Sequence, residues 1–209
     1  MDAKRESKPS TMKNLTTIER KAEREIVVTR TFNAPARLVF EAWTKPELFR
    51  QWWVPKSIGM SLLSCEMDVR VGGRYRLEFA HGDSQMAFFG TYKEVTPHSR
   101  LVWTNDESDG GAVSTVTFEE RGGKTLLVYH ELYPSKEALD ANAGMENAMA
   151  ETFAQLDELL VTLGASVGRS CRSASQATDG GEGRARERDA VHQLLYADGD
   201  AGPGPRSRL

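Results

Sequence analysis

The sequence has few of the features that mark secreted, membrane-spanning or metal-binding proteins. Its two cysteines, Cys65 and Cys171, are too few and too far apart for a disulfide framework or a metal site. No apolar run reaches the roughly 18 residues that a membrane span needs, and the N-terminus lacks the apolar region of a signal peptide. We therefore expect a cytoplasmic protein with no membrane insertion.

The sequence motifs of several enzyme classes are also missing. The chain has no Walker-type phosphate loop, dinucleotide-binding glycine fingerprint, His-Glu-x-x-His zinc motif or Gly-x-Ser-x-Gly nucleophile turn. We therefore expect no metal and no redox cofactor, and we assign no catalytic residue. A binding protein is favoured over an enzyme.

Positive charge is scarce in the centre of the chain. The formal net charge is −3, and residues 1–24 carry +3 while residues 165–209 carry +1. The segment 25–164 is therefore left with −7. Because phosphate binding needs a basic face, we expect no nucleic acid as partner.

The most strongly patterned stretch is a predicted long helix over residues 135–163. Ser135 can cap its first turn, and Glu137 is placed favourably there. At about 100° per residue, one arc of about 120° is almost wholly apolar. Its members are Met145, Met149, Thr152, Phe153, Leu156, Leu159, Leu160 and Leu163. Asn147, Glu151, Gln155 and Glu158 occupy the opposite side, so we expect one buried and one solvated face.

The chain before this helix alternates with a period of two, which is typical of half-buried strands. About seven strands are predicted, with two short helices, 35–44 and 46–52, after the first of them. The strand candidates are 25–32, 61–68, 74–79, 85–95, 100–104, 113–119 and 124–132. The last two form a hairpin across Arg121-Gly122-Gly123.

Three regions follow from these patterns. Residues 1–24 are interpreted as a flexible charged arm with a modest helical tendency over 16–25. Residues 25–164 form the folded domain. Residues 165–209 are rich in Gly, Ser and Arg and too poor in apolar side chains to order themselves, so a disordered tail is predicted.

Several segments together resemble bacterial homologues of the activator of the heat-shock-protein-90 ATPase, which belong to the START-like (SRPBCC) superfamily. The resemblance covers about residues 23–163. It is carried by RTFNAPARLVFEAWTKPE at 30–47, QWW at 51–53, VGGRY at 71–75, FGTYKEV at 89–95, RLVW at 100–103, VTFEE at 116–120 and GME at 144–146. The resemblance implies an α+β helix-grip fold, in which a curved antiparallel sheet encloses a cavity against a long C-terminal helix.

The family resemblance implies several functions. Relatives bind lipids, plant hormones or polyketides in the cavity, a few catalyse cyclisation or hydrolysis, and the eukaryotic activators stimulate the chaperone. The eukaryotic activator carries an additional N-terminal chaperone-binding domain, and residues 1–24 are too short to form one. A small, largely apolar ligand is therefore the expected partner. A co-chaperone module acting on a chaperone ATPase and a cyclase- or hydrolase-like enzyme are the alternatives, and both a monomer and a homodimer stay open.

Alternation and the resemblance together place a set of candidate ligand-binding residues around the cavity. The set comprises Trp53, Phe88, Tyr92, Trp103, Phe118, His130, Met145, Met149 and Phe153. Each has a structural interpretation beside the functional one, because aromatic and apolar side chains at such spacing also form ordinary cores. His130 is the one candidate general base, and Glu131 is expected on the other face of its strand. Glu146 and Asp157, which flank the apolar stripe, are expected to be solvated.

Overall fold

The computed structural model describes residues 15–107, 110–142 and 145–176, excepting the side chains of 145–147 and 166–176. Within the chain there are two compact units, residues 1–170 and 171–209. The described part of the second unit is the helical stretch 171–176, and the account below concerns the first unit. In the described residues, no helix is both long enough and apolar enough to cross a membrane.

Eight strands and four α-helices make up the described fold. In chain order they are β1 (Thr17–Ala22), β2 (Glu25–Phe32), α1 (Ala36–Thr44), α2 (Pro46–Phe49), β3 (Ser61–Met67), β4 (Arg74–His81), β5 (Ser84–Thr96), β6 (Arg100–Asn105), β7 (Val113–Arg121), β8 (Lys124–Leu132), α3 (Lys136–Ala141) and α4 (Met145–Gln176). A single 3₁₀ turn, Lys56–Ile58, lies between α2 and β3.

All eight strands belong to one antiparallel sheet in the order β1-β2-β8-β7-β6-β5-β4-β3. Register shifts interrupt three of the ladders, one of them between Tyr92 and Glu94 on β5. Such irregularities increase the local twist and bend a strand, which helps the sheet to curve around a helix. The α+β helix-grip fold predicted from the sequence is confirmed.

The strand count exceeds the prediction by one because residues 17–22 are a strand and not part of a loose, weakly helical arm. Ile18 pairs with Val28, and Thr17 pairs with Thr29, so β1 extends the sheet beyond β2. Its side chains are mostly exposed, and Arg20 and Lys21 give it the charged character that suits a sheet edge. The helical periodicity was too weak to compete with pairing to an exposed neighbouring strand.

The predicted helix over 135–163 is two helices. Ser135 caps α3 as expected, since its hydroxyl oxygen accepts a hydrogen bond from the Ala138 amide at 3.2 Å. At the end of α3, the Asn142 side chain donates to the Ala138 carbonyl, which the next turn of a continuous helix would use. A side chain that competes in this way ends the helix, and α4 starts anew at Met145.

The apolar face of α4 packs on the sheet as predicted. Phe153 and Leu156 are fully buried, Leu160 is nearly so, and the Phe153 ring meets the Phe32 ring of β2 edge-on at 5.7 Å. Side chains of this size each contribute about 1.5–3 kcal/mol on burial. These contacts hold the helix against the concave face of the sheet.

Two residues expected in water are buried or paired instead. Gln155 is buried, and its side-chain amide donates to the carbonyls of Trp52 and Val54, both at 2.8 Å. Asp157 pairs with the buried guanidinium of Arg30. The second side of α4 is therefore covered by the chain that follows α2, which a helical wheel alone does not reveal.

Candidate ligand-binding cavity

A cavity of about 620 Å³ lies between the concave face of the sheet, the segment after α2 and the first turns of α4. Strands β2, β4 and β6 supply its apolar floor through Ile26, Val28, Leu77, Phe79, Leu101 and Trp103. Helix α4 closes it with Ala148, Met149 and Thr152. Ile58, Met86 and Phe88 also line it and are each more than a third exposed, which marks where the cavity opens to solvent.

Tryptophan rings dominate one wall of the cavity. Trp43 on α1 is buried and lies 5.7 Å from Trp53, 6.2 Å from Trp103 and 6.3 Å from Tyr129, measured between ring centroids. The Trp52 ring, fully buried, donates its indole N–H to the Ala42 carbonyl at 3.0 Å and anchors this cluster from behind. Interlocked aromatic pairs of this kind make a rigid wall.

The segment that carries Trp53 is fixed to α4 by side-chain hydrogen bonds. The Gln155 amide holds the Trp52 and Val54 carbonyls, and its oxygen accepts the Lys56 amide at 3.1 Å. One turn earlier, the Glu151 carboxylate accepts hydrogen bonds from the Ser57 amide and hydroxyl. These contacts hold Trp53, Val54 and Ile58 over the cavity.

The structure brings together part of the predicted ligand-binding set. Trp53, Phe88, Tyr92, Trp103 and Met149 all line the cavity. Phe118 and Phe153 do not; both are buried in the core behind the wall, where Phe118 meets Phe40 and Phe153 meets Trp43. Met145 opens α4, but its side chain lies outside the described residues, as does that of Glu146.

The prediction that His130 faces the cavity is wrong. Its imidazole Nε2 lies 3.4 Å from the Glu25 carboxylate, whereas its neighbours Tyr129 and Glu131 line the cavity. Val128 shares the face of His130, because side chains two apart on a strand point the same way. The run Leu126-Leu127-Val128 is apolar at every position, so alternation within β8 could not tell one face from the other.

A polar network occupies the end of the cavity formed by β6, β7 and β8. The Tyr75 hydroxyl donates to the Asn105 side-chain oxygen at 2.6 Å, and the Asn105 amide donates to the Ser114 hydroxyl at 3.1 Å. Ser114 lies 3.3 Å from the Tyr129 hydroxyl and donates to Glu131 at 3.5 Å. The Tyr133 hydroxyl donates to the other oxygen of Glu131 at 3.0 Å.

Glycine at position 90 makes this arrangement fit. A β-carbon built at Gly90 would stand 1.7 Å from the Thr104 carbonyl oxygen and 2.8 Å from the Tyr75 ring. Only a residue without a side chain therefore lets β5 approach β6 here and lets Tyr75 reach Asn105.

Burial sets the protonation of the tyrosines and of Glu131 that line the cavity. It raises the pKa of Tyr75, Tyr92 and Tyr129 well above the usual phenol value, so these hydroxyls stay protonated and can donate hydrogen bonds. Burial also raises the pKa of Glu131, although the hydroxyls of Tyr133, Tyr129 and Ser114 oppose the shift by stabilising the carboxylate.

The charged groups of the cavity wall are all of one sign. Glu131 and Glu107 line the cavity, and the described lining includes no Lys, Arg or His. The Glu107 carboxylate accepts the Phe89 amide at 2.6 Å. Throughout the described residues, no group of three or more His, Cys, Asp or Glu side chains is arranged to hold a metal ion.

The β7–β8 hairpin turn could have predicted which β8 residues face the polar end of the cavity, whereas alternation alone did not. A two-residue turn at Gly122-Gly123 pairs Arg121 with Lys124, and this register sets Val116 opposite Tyr129 and Ser114 opposite Glu131. Opposed residues share a face. Once Val116 is placed inside, Tyr129 and Glu131 must lie inside as well.

Comparison with known proteins agrees with the geometry. Residues 33–161 match the family described as Activator of Hsp90 ATPase homolog 1-like protein. No curated protein matches the chain.

Solved structures from several bacteria share the fold. One from Rhodobacter sphaeroides is 23% identical with a TM-score of 0.65, covering 71% of this chain and 99% of its own. One from Nitrosomonas europaea is 25% identical with a TM-score of 0.63, covering 69% and 99%. One from Staphylococcus epidermidis is 30% identical with a TM-score of 0.61, covering 70% and 94%. Since the family match spans more than half of the sequence, the chain belongs to the Activator of Hsp90 ATPase homolog 1-like family, within the START-like superfamily.

Proposed function

We propose that the protein binds a small, largely apolar molecule in the cavity between the sheet and α4. The observation that carries the proposal is the cavity itself: about 620 Å³, with apolar and aromatic walls and polar groups gathered at one end. Ligand sites in proteins have this size and this division, in which apolar walls supply affinity and a few polar groups fix orientation.

The contacts around the cavity support binding in a preformed site. Trp53 and the segment after it are tied to α4 through Gln155 and Glu151, so the wall needs little rearrangement when a ligand enters. A preorganised wall reduces the entropy that binding costs. The rings of Trp43, Trp53 and Trp103 also give the site its own fluorescent reporter.

A pair of substitutions on α4 tests the proposal. Ala148 lines the cavity, so Ala148→Phe fills part of it, whereas Ala150→Phe adds the same ring on the exposed side of the helix. The full chain is titrated with neutral apolar alcohols of increasing length while tryptophan fluorescence and thermal midpoint are followed. We expect saturable binding in the wild type and in Ala150→Phe and its loss in Ala148→Phe. Binding that survives in Ala148→Phe, or that is absent from the wild type, contradicts the proposal.

A co-chaperone function is the second candidate, and the family description supports it. In that case the full chain would stimulate ATP turnover by a heat-shock-protein-90 ATPase, and Ala148→Phe would leave the stimulation unchanged, because the contact would be made through the surface. No change in turnover at micromolar concentrations removes this candidate.

A further inference from the structure

We propose that the occupant of the cavity is a cationic amine on an apolar or aromatic skeleton, with its ammonium group at the Glu131 end. This inference rests on the proposed function, since it names the ligand class of the same site. It states that the ligand carries a positive charge, whereas the proposed function leaves the charge of the apolar ligand unspecified.

The first argument is the missing counter-ion of Glu131. A carboxylate withdrawn from water normally has a cationic partner as well as hydrogen bonds. Glu131 receives hydrogen bonds from the Tyr133 and Ser114 hydroxyls, but no Lys, Arg or His is among the described residues that line the cavity. A ligand ammonium would supply the charge that the protein leaves out.

Elsewhere in the same interior, the protein does provide a partner for a buried charge. Arg30 on β2 is buried and is paired with Asp157, and it also donates to the Thr16 hydroxyl at 2.6 Å. This pairing lies away from the described lining of the cavity. Among the described residues, the contrast between an ion pair and a carboxyl held by hydroxyls indicates that Glu131 is kept for an incoming partner.

The second argument is the composition of the wall next to Glu131. Tyr129, two residues before Glu131 on the same face of β8, lines the same cavity, and its ring lies 6.2 Å from Trp103 and 6.3 Å from Trp43. Aromatic faces attract cations electrostatically through the partial negative charge of the ring face. A cation at this end is stabilised by the carboxyl group and by the rings together.

The third argument is what the site excludes. A ligand carboxylate placed at the polar end would face Glu131 and Glu107 with no cation to offset the repulsion. A hydroxyl could donate to Glu131 but would leave its charge unpaired. The order of affinity for one skeleton is therefore amine, then alcohol, then carboxylate.

Three probes with one skeleton test this order: 4-phenylbutylamine, 4-phenylbutan-1-ol and 4-phenylbutanoate. Each is titrated against the full chain at neutral pH, with tryptophan fluorescence and calorimetry as readouts. We expect the amine to bind at least about tenfold more tightly than the alcohol, because a hydrogen bond between two charged groups is stronger than one between a neutral and a charged group. The carboxylate is expected to bind most weakly.

Glu131→Gln identifies the group responsible. The variant should weaken the amine about tenfold or more and change the alcohol by less than about threefold. Glu158→Gln, on the exposed side of α4, is the matched control for loss of one negative charge and should change neither. The wild-type comparison of the three probes needs no variant, so it stands even if Glu131→Gln fails to fold.

The outcomes separate the two proposals. Equal affinity for amine and alcohol, or tighter binding of the carboxylate, overturns the amine assignment and leaves an apolar ligand in place. An amine preference that persists in Glu131→Gln also overturns it. If none of the three probes and none of the neutral alcohols binds, the proposed function fails as well.

Discussion

Gln155 on α4 and Trp52 after α2 are joined by a hydrogen bond of 2.8 Å from the side-chain amide to the backbone carbonyl. The same side chain binds the Val54 carbonyl and the Lys56 amide, so one residue of the helix satisfies three backbone groups of an irregular segment. Irregular backbone that is buried must find such partners. Gln155 therefore acts as the structural link between the long helix and the cavity wall.

Replacing Gln155 with Met tests this link. Met has a similar volume but cannot hydrogen-bond the three backbone groups, and a buried unsatisfied group costs about 1–3 kcal/mol. We expect the free energy of unfolding to fall by about 2–4 kcal/mol, because part of the segment can turn toward water. Chemical denaturation measures the loss. Glu151→Gln, which alters an exposed contact to Ser57, should cost less than Gln155→Met; equal losses would contradict the special role of Gln155.

The prediction that Gln155 is solvated was wrong because a helical wheel reports only where the apolar side chains of a helix point. The wheel correctly predicts that Phe153 and Leu156 face the sheet, because apolar periodicity reports the direction of the main core. It carries no information about a second partner. The segment 52–57 covers the side of α4 on which Gln155 lies, and it does so through hydrogen bonds, which polar residues supply.

The ion pair between Arg30 and Asp157 gives the second prediction. Asp157→Asn leaves the Arg30 guanidinium buried without its counter-charge, and we expect a loss of roughly 1–3 kcal/mol, reduced from the fully buried case because Asp157 is partly exposed. Adding Arg30→Met should restore a measurable part of the loss, since an apolar side chain needs no partner. Thermal and denaturant unfolding of the wild type, the two single variants and the double variant complete the double-mutant cycle.

The surface pair between Arg37 and Glu41 is the control for that cycle. Its N–O distance is 2.6 Å, and the Arg37 side chain is half exposed on α1, whereas that of Arg30 is buried. Glu41 also pairs with the half-exposed Lys45 at 2.9 Å. Glu41→Gln should cost less than about 0.5 kcal/mol, because exposed ion pairs of this spacing contribute little. A loss at Asp157 no larger than the loss at Glu41 would show that the Arg30 pair is not a structural clamp.

A third prediction separates core from cavity on α4. Phe153 is fully buried among Phe32, Trp43 and Trp52, so Phe153→Ala should cost about 3–5 kcal/mol. Met149, one turn earlier, lines the cavity and is only partly buried. Met149→Ala should therefore cost less, roughly 1 kcal/mol, because no new closed void is created. Binding titrations should show a changed affinity for apolar alcohols in Met149→Ala.

Strand β8 shows which part of the site could be predicted from the sequence and which part could not. The apolar run Leu126-Leu127-Val128 hides the alternation, and His130 was assigned to the cavity from alternation together with the family resemblance. The hairpin register would have corrected it, because Val116 and Tyr129 are opposed. The hydrogen-bond network from Tyr75 to Glu131 could not be predicted from the sequence, because it joins four strands whose order and bends are set by tertiary packing.

The last prediction concerns Glu131 and pH. Burial raises the pKa of Glu131 above the ordinary value of 4.5, so the folded state holds a proton that the unfolded state releases. Stability contributed by this group is therefore present at low pH and is lost as pH rises from the unfolded pKa through the folded one. Glu131→Gln removes this dependence. We expect the variant to gain stability relative to the wild type as pH rises from the unfolded pKa of Glu131 through its raised folded pKa.

The measurement is the difference in unfolding free energy between Glu131→Gln and the wild type at several pH values in the absence of ligand. The Gln oxygen can still accept from one of the Tyr133 and Ser114 hydroxyls, and its NH2 group can donate to the oxygen of the other, so both contacts can be kept with one of them reversed in direction. Glu158→Gln should give a flat difference. A difference that shifts in favour of the wild type as pH rises would mean that the carboxylate is better stabilised in the fold than in water. A residue that costs stability when the cavity is empty, yet is needed for amine binding, fits a binding role and not a structural one.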